Sequence, residues 1–326
     1  MASSKQLIGM IRSHAAGDDE RFLAIAEHIA NDARSAGHHR MAEEIGTLVG
    51  SLKEEIGERR TSTRPALIAA PRGELASLVR ASYPETRLSD VVVADDVGAR
   101  LRRIVREQRE RGLLADQGLH PRRKLLLSGP PGTGKTTTAA AIAGELGLPL
   151  FTVLLDGVIT KFMGETAAKL RIVFDAMTNA RGVYFFDEVD ALATRRGAEN
   201  DIGEARRMLN SFLQFLDEDA SGSLVLAATN HQELLDRAIF RRFDATIRYD
   251  LPEPEHVRRI LTHRLPRFDL SGFDWDVVCS AASGLSQADI VAAGEDAARD
   301  AVLENDGLLD GGILVAALSE RSRPDR

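Results

Sequence analysis

The stretch "KLLLSGPPGTGKTTTAAAIAGEL", Lys124–Leu146, decides the fold. "KLLLS" is a short apolar run bounded by glycine and proline, as a buried strand would be. "TTTAAAIAGEL" has the composition of a helix. Between them "GPPGTGKT" (Gly129–Thr136) matches the G-x-x-x-x-G-K-[ST] pattern of a phosphate-binding loop. The match carries weight because both flanks are right, strand before and helix after. Glycines let the backbone wrap closely around phosphate oxygens, so that successive amide N–H groups point inward, and the helix N-terminus adds partial positive charge. The expected nucleotide contacts are therefore Gly129, Pro130, Pro131, Gly132, Thr133, Gly134, Lys135, Thr136 and Thr137. Lys135 should meet the outer phosphates, and the Thr136 hydroxyl should ligate magnesium.

Three downstream motifs extend this reading. In "VYFFDEVD" (Val183–Asp190) a four-residue apolar strand delivers Asp187 toward the metal, while Glu188 points elsewhere and can polarise an attacking water as general base. An acidic pair after a strand is weak evidence alone and strong evidence downstream of a phosphate loop. "LVLAATN" (Leu224–Asn230) ends a further strand on Thr229 and Asn230, and the Asn230 amide can hold the water in line with the γ-phosphate. "LLDRAIFRRFDATIRY" (Leu234–Tyr249) places Arg241 and Arg242 side by side before the next strand. An arginine fork on the developing phosphate charge accelerates transfer by ~10³–10⁵.

The runs "KLLLS", "LFTVLL", "VYFF", "LVLAAT" and "TIRY" alternate with helical segments. That alternation predicts an α/β fold, a parallel sheet sandwiched between helices. Past "LPEPEH" the periodicity is helical throughout, which predicts an α-helical lid. At the other end, Phe22, Ile25, Ala26, Ile29 and Ala33 repeat with helical spacing, as do Met41, Ile45, Leu48, Val49, Leu52 and Ile56. The domain plan is thus an N-terminal helical unit over 1–60, a linker over 61–87 broken by Pro65, Pro71 and Gly73, a nucleotide-binding core over 88–250, and a lid over 251–326. The arginine-rich "ARLRRIVREQRERGLL" alternates with Glu107 and Glu110 and keeps Leu101, Ile104 and Val105 in helical register, so it reads as a solvated amphipathic helix.

Composition narrows the field further. Of 326 residues 44% are hydrophobic and 28% charged, the balance of a soluble globular protein. No run approaches the ~18 apolar residues of a spanning helix, and the N-terminus lacks a secretory signal. One cysteine, Cys279, excludes an internal disulfide framework or a cysteine-based zinc site, and reads as a small buried apolar residue. His38 and His39 have no suitably spaced partners for a metal site and read as a loop. These features point to the cytoplasm and away from membranes, and the net charge of −7 argues against general nucleic-acid binding.

Taken in order, "GPPGTGKT", "FFDEVD", "AATN", "FRRFD" and "GLSQADI" make the chain resemble the AAA+ ATPases over Asp90–Ala301, in the protein-remodelling branch with katanin, spastin and the membrane-anchored AAA proteases. The resemblance implies ATP and Mg2+ as cofactors, Lys135 and Thr136 on Walker A, Asp187 and Glu188 on Walker B, and Asn230 as sensor 1. It also implies that Arg242 is an arginine finger acting in a neighbouring subunit, hence a homo-oligomeric ring, with hexamers the family's usual form and smaller assemblies open. Arg241 departs from the family's wider arginine spacing. "VVVADDVG" resembles the adenine-side stretch, with Val97 and Gly98 near the base, and "GLSQADI" lacks a sensor-2 arginine, leaving Ala288 to pack near the nucleotide. The basic "TRRGAEN" stands where relatives line a pore. "TKFMGET" falls where this branch keeps a substrate-gripping pore loop, which casts Phe162 and Met163, otherwise the start of a core helix, as that grip. Two functions follow: a motor that remodels or threads a polypeptide, or a nucleotide-dependent switch that oligomerises and controls a partner. The N-terminal unit is similar to segments of bacterial AAA ATPases that accompany a subtilisin-like protease, which suggests an adaptor for a separately encoded protease.

Overall fold

A computed structural model describes residues 26, 29, 30, 71, 73–158, 163–192, 201–235 and 237–322. The chain divides into two compact units, Met1–Ile68 and Ala69–Arg326. In the second unit the strands are β1 (Val79–Ser82), β2 (Lys124–Ser128), β3 (Leu150–Val153), β4 (Val183–Phe186), β5 (Leu224–Thr229) and β6 (Ala245–Arg248). They form one sheet in the order β1-β3-β4-β5-β2-β6. Every neighbouring pair is parallel except β1–β3, which is antiparallel.

Continuous apolar runs became strands because both faces of the sheet are covered. The helices that precede and separate the strands are α1 (Leu75–Leu78), α2 (Asp95–Arg109), α3 (Arg111–Asp116), α4 (Lys135–Leu146), α5 (Leu155–Val158), α6 (Met163–Asn179), α7 (Asp201–Glu218) and α8 (Arg237–Phe240). Side chains alternate across the strands. Leu126, Tyr184, Phe186, Val225 and Ala227 join the layer built with Phe174 and Met177 of α6 and Phe212 and Leu216 of α7. Leu125, Leu127, Val183, Phe185 and Leu226 join the opposite layer with Leu101 and Ile104 of α2 and Ile142 of α4. Phe174 stacks on Phe186 and Phe212 meets both edge-on, at ring distances of 5.1 to 5.9 Å. The arginines of α2 stay on its outer face, with Arg103–Glu107 and Arg106–Glu110 pairs one turn apart, as its sequence predicts.

The lid consists of α9 (Pro254–Arg264), α10 (Trp275–Ala281), α11 (Gln287–Glu304) and α12 (Gly311–Arg321). It has its own core, centred on Leu261, Ile290, Ala293, Ala297 and Leu314. Ser286 caps α11 through a reciprocal box with Asp289. Cys279 is only partly buried, its thiol directed at the Pro254 carbonyl at 3.4 Å. Of the first unit, Ala26, Ile29 and Ala30 are helical and buried, at the spacing of a single helix face. The rest of that stripe, both histidines and the "TRRGAEN" loop lie outside the described residues.

One part of the domain plan is corrected. The stretch 61–87 is not linker to its end: α1 and β1 lie within it, and β1 closes the sheet edge by pairing Val79 with Val153. A four-residue edge strand with Arg80 and Ser82 outward carries too little periodicity to announce itself. The following segment is also anchored. The Arg87 guanidinium donates to the Gly144 carbonyl on α4, and the Thr86 carbonyl oxygen passes within 2.1 Å of where a Gly144 Cβ would sit.

A mid-helix glycine replaced by alanine ordinarily gains about 0.5–1 kcal/mol. Gly144→Ala should instead cost about 1–3 kcal/mol, because the neighbour is backbone and must move. Thermal melting checks the sign: a lowered midpoint is expected.

Candidate active site

The parallel strands deliver their polar residues together at one edge of the sheet. Ser128 of β2 pairs with Thr229 of β5, so Gly129 and Asn230 leave the sheet side by side, and Phe186 of β4 pairs with Ala227, so Asp187 leaves at the level of Ala228. From there residues 129–134 loop over to α4. Two positions in the loop require glycine. Gly129 has φ 145°, and a Cβ on it would lie 2.1 Å from the Tyr249 carbonyl oxygen. Gly132 has φ 73°, and its Cβ would meet the Ser286 hydroxyl at 2.5 Å.

Lys135 opens α4 and is 6% exposed. Its Nζ donates to the Gly129 and Pro130 carbonyls at 2.7 and 2.6 Å, which holds the ammonium inside the loop. Burial lowers its pKa, and the carboxylates of Asp187, Asp190 and Glu188 oppose that shift. The Thr133 hydroxyl donates to the Pro130 carbonyl at 2.8 Å. The Asp187 carboxylate is oriented through both oxygens: Thr136 Oγ1 donates to one at 3.0 Å and the Glu188 amide to the other at 3.0 Å. Glu188 adopts φ 52°, left-handed for a residue with a Cβ, at a cost of about 1–2 kcal/mol. That turn directs consecutive carboxylates to different places, and the Glu188 carbonyl then accepts from Ala191 at 2.8 Å.

These groups surround a cavity of about 610 Å³. The phosphate loop contributes Pro131, Gly132, Gly134, Lys135, Thr136 and Thr137, and the strand ends contribute Asp187, Glu188 and Asn230. Ile260, His263 and Arg264 of α9 and Gln287, Ala288 and Val291 of α11 close it from the lid. The Ala288 amide donates to the Gly132 carbonyl at 3.0 Å, so lid and phosphate loop are bonded directly. Ala288 also lines the cavity.

Val97 and Gly98, expected near the base, do not line this cavity. Val97 and Gly98 fall inside α2, buried, and Val97 faces the core and a neighbouring cavity of about 380 Å³. The segment just before the helix supplies Asp90 and Val92 to the wall. The Arg87 amide, then Ser89, and more weakly His263 hold the Asp90 carboxyl below its usual range. Arg264 pairs with Glu295 of α11. Nothing in the periodicity marks Asp90, Val92, Ile260 or His263, because the wall is assembled from a helix-flanking segment and a distant helix.

Arg241 and Arg242 do not line this cavity. Both are exposed on the turn between α8 and β6, and Arg242 pairs with Asp217 of α7. Phe162 lies outside the described residues, and Met163 opens α6. Among the described residues no cluster of histidine, cysteine or carboxylate groups could hold a metal by itself. No helix there is long and apolar enough to cross a membrane.

Replacing Lys135 by methionine removes a buried cation and its charged hydrogen bonds. Lys135→Met should weaken ATP binding by roughly 10²-fold, two charged bonds' worth, while leaving the melting midpoint unchanged or raised. Calorimetric titration and thermal melting of the same preparation check both halves.

Comparison with known proteins agrees with this geometry. Residues 125–251 match the model of the ATPase family associated with various cellular activities (AAA). The chain is 39% identical over 248 residues to the uncharacterized AAA family ATPase y4kL of Sinorhizobium fredii, covering 75% of this chain and 74% of that protein. It is 38% identical over 193 residues to the ATP-dependent zinc metalloprotease FtsH 1 of Symbiobacterium thermophilum, covering 57% of this chain and 32% of that protein. It therefore spans about a third of that relative's length. The crystal structure of the FIGL-1 AAA domain shares the fold, with a TM-score of 0.62 at 23% identity over 81% of this chain and 93% of that one. A phosphate loop, a strand-end carboxylate pair and a lid closing one cavity, in a chain so similar to y4kL along most of both lengths, make this protein a member of the AAA family of ATPases.

Proposed function

We propose that this ATPase couples turnover of magnesium-ATP to the remodelling or threading of a polypeptide, as a homo-oligomeric ring in the cytoplasm. One observation carries the reading. Lys135, Thr136, Asp187, Glu188 and Asn230 converge on a single cavity beneath the lid, whereas Arg241 and Arg242 are exposed and off its wall. The cavity holds the parts needed to bind a triphosphate and activate water, while its own arginine, Arg264, is engaged by Glu295.

In this reading the loop amides and Lys135 bind the phosphates. The Thr136 hydroxyl and Asp187 carboxylate, 3.0 Å apart, are hard oxygen donors that suit magnesium. Bound there, the ion would neutralise charge on the outer phosphates. Glu188 takes the proton of the attacking water, and the Asn230 amide orients that water. Arg242 supplies a second arginine to the neighbouring copy's cavity, where charge develops on transfer, with Arg241 beside it, so the active unit is an oligomer. A hexameric ring would set Phe162 and Met163 around a central channel that grips polypeptide through apolar contact. The N-terminal helical unit serves as adaptor for the partner, for which a separately encoded protease is the candidate.

The test measures ATP turnover and molecular mass together, with and without an unfolded polypeptide. Glu188→Gln should bind ATP yet turn it over ~10²–10⁴-fold more slowly. Polypeptide should stimulate the native chain, and Phe162→Ala should lose that stimulation. Nucleotide-dependent assembly with stimulation intact in Phe162→Ala would replace threading by the switch.

A further inference from the structure

One residue outside the nucleotide cavity grips the phosphate loop near both of its ends. Tyr249 directly follows β6 and is 4% exposed. Its amide donates to the Ser128 carbonyl at 2.7 Å, immediately before the loop. Its own carbonyl oxygen occupies the space a Gly129 side chain would need, 2.1 Å from the Cβ position. Its phenol hydroxyl donates to Thr138 Oγ1 at 2.8 Å. Thr138 is wholly buried, and its amide closes the first turn of α4 by donating to the Gly134 carbonyl at 2.8 Å. Tyr249 thus packs against Gly129 at the start of the loop and, through the Thr138 hydroxyl, is bonded to the first turn of the helix that follows Gly134. Burial pushes the phenol pKa up to about 12, so the hydroxyl stays a neutral donor.

Tyr249 also occupies a mechanical position. Residues 250–253 lead from it into α9, the first lid helix, while the Ala288 amide of the lid reaches the crest of the same loop at Gly132. We propose that Tyr249 is a positioning residue for the triphosphate: it holds the phosphate loop at both ends and ties the loop's shape to the segment that enters the lid. The proposal rests on the reading of this loop as the ATP site. It assigns to the hydroxyl a role that packing of the ring alone does not fill.

Two variants separate positioning from packing. Tyr249→Phe keeps the ring and removes the bond. Tyr249→Phe with Thr138→Val removes both partners and leaves no hydroxyl buried without one, so its stability should return to that of the native chain. Steady-state hydrolysis and calorimetric titration with ADP are measured on the full chain beside thermal melting. Tyr249→Phe should raise the KM for ATP and the Kd for ADP by about three- to tenfold with kcat within about twofold, the signature of lost uniform binding. The double variant should regain the native melting midpoint while KM and Kd stay raised. A double variant whose KM and Kd recover together with the midpoint, or a Tyr249→Phe chain with native KM and Kd, overturns the proposal. If Tyr249→Phe alone does not fold, the double variant carries the same comparison. A native chain that binds no ADP would instead overturn the reading of the loop as the ATP site.

Discussion

Parallel register is the constraint on which the site depends. Ser128 of β2 lies opposite both Thr229 of β5 and Arg248 of β6, so three strands run out at the same level. The loop to α4 starts from that ledge, with Asn230 and Tyr249 as its immediate neighbours. A slip of one residue in β2 would turn Leu125 and Leu127 from the α2–α4 layer to the α6–α7 layer. It would also carry Gly129 away from the Tyr249 carbonyl. The hydrophobic layers that stabilise the sheet thus also align the chemistry.

The nucleotide site stores strain and unfavourable burial against that rigid ledge. Glu188 holds a left-handed backbone, Lys135 is a cation almost removed from water, and the phosphate loop is packed until Gly129 and Gly132 have no room for a side chain. Each is unfavourable in isolation and tolerable where the surrounding layers fix the geometry. The lid is attached differently. It has its own core and touches the loop through the Ala288–Gly132 bond and the Ser286 contact.

Much of this was legible in the sequence, for local reasons. Glycine spacing and a lysine between strand and helix define a phosphate loop without tertiary information, and strands covered on both faces read as unbroken apolar runs. Where burial was one-sided the signal failed, as with the edge strand β1. Val97 and Gly98 were expected beside the base because "VVVADDVG" reads as one stretch, but the helix begins at Asp95 and turns Val97 into the core. Asp90, His263 and Tyr249 were invisible because their surroundings come from contacts between segments far apart in the chain. Arg241 and Arg242 were legible as an arginine pair, and the structure adds that both are exposed and away from their own chain's cavity.

The central claim is that one catalytic centre is shared between two copies, the phosphate loop from one and the arginine from the other. Mixing Lys135→Met chains with Arg242→Ala chains tests it most directly. Each population alone should be inactive. Together they should regain ATP turnover, because an intact Lys135 site on one copy can receive the intact Arg242 of the other. A mixture that co-assembles by mass and stays inactive, or an Arg242→Ala chain that is fully active alone, would contradict the account.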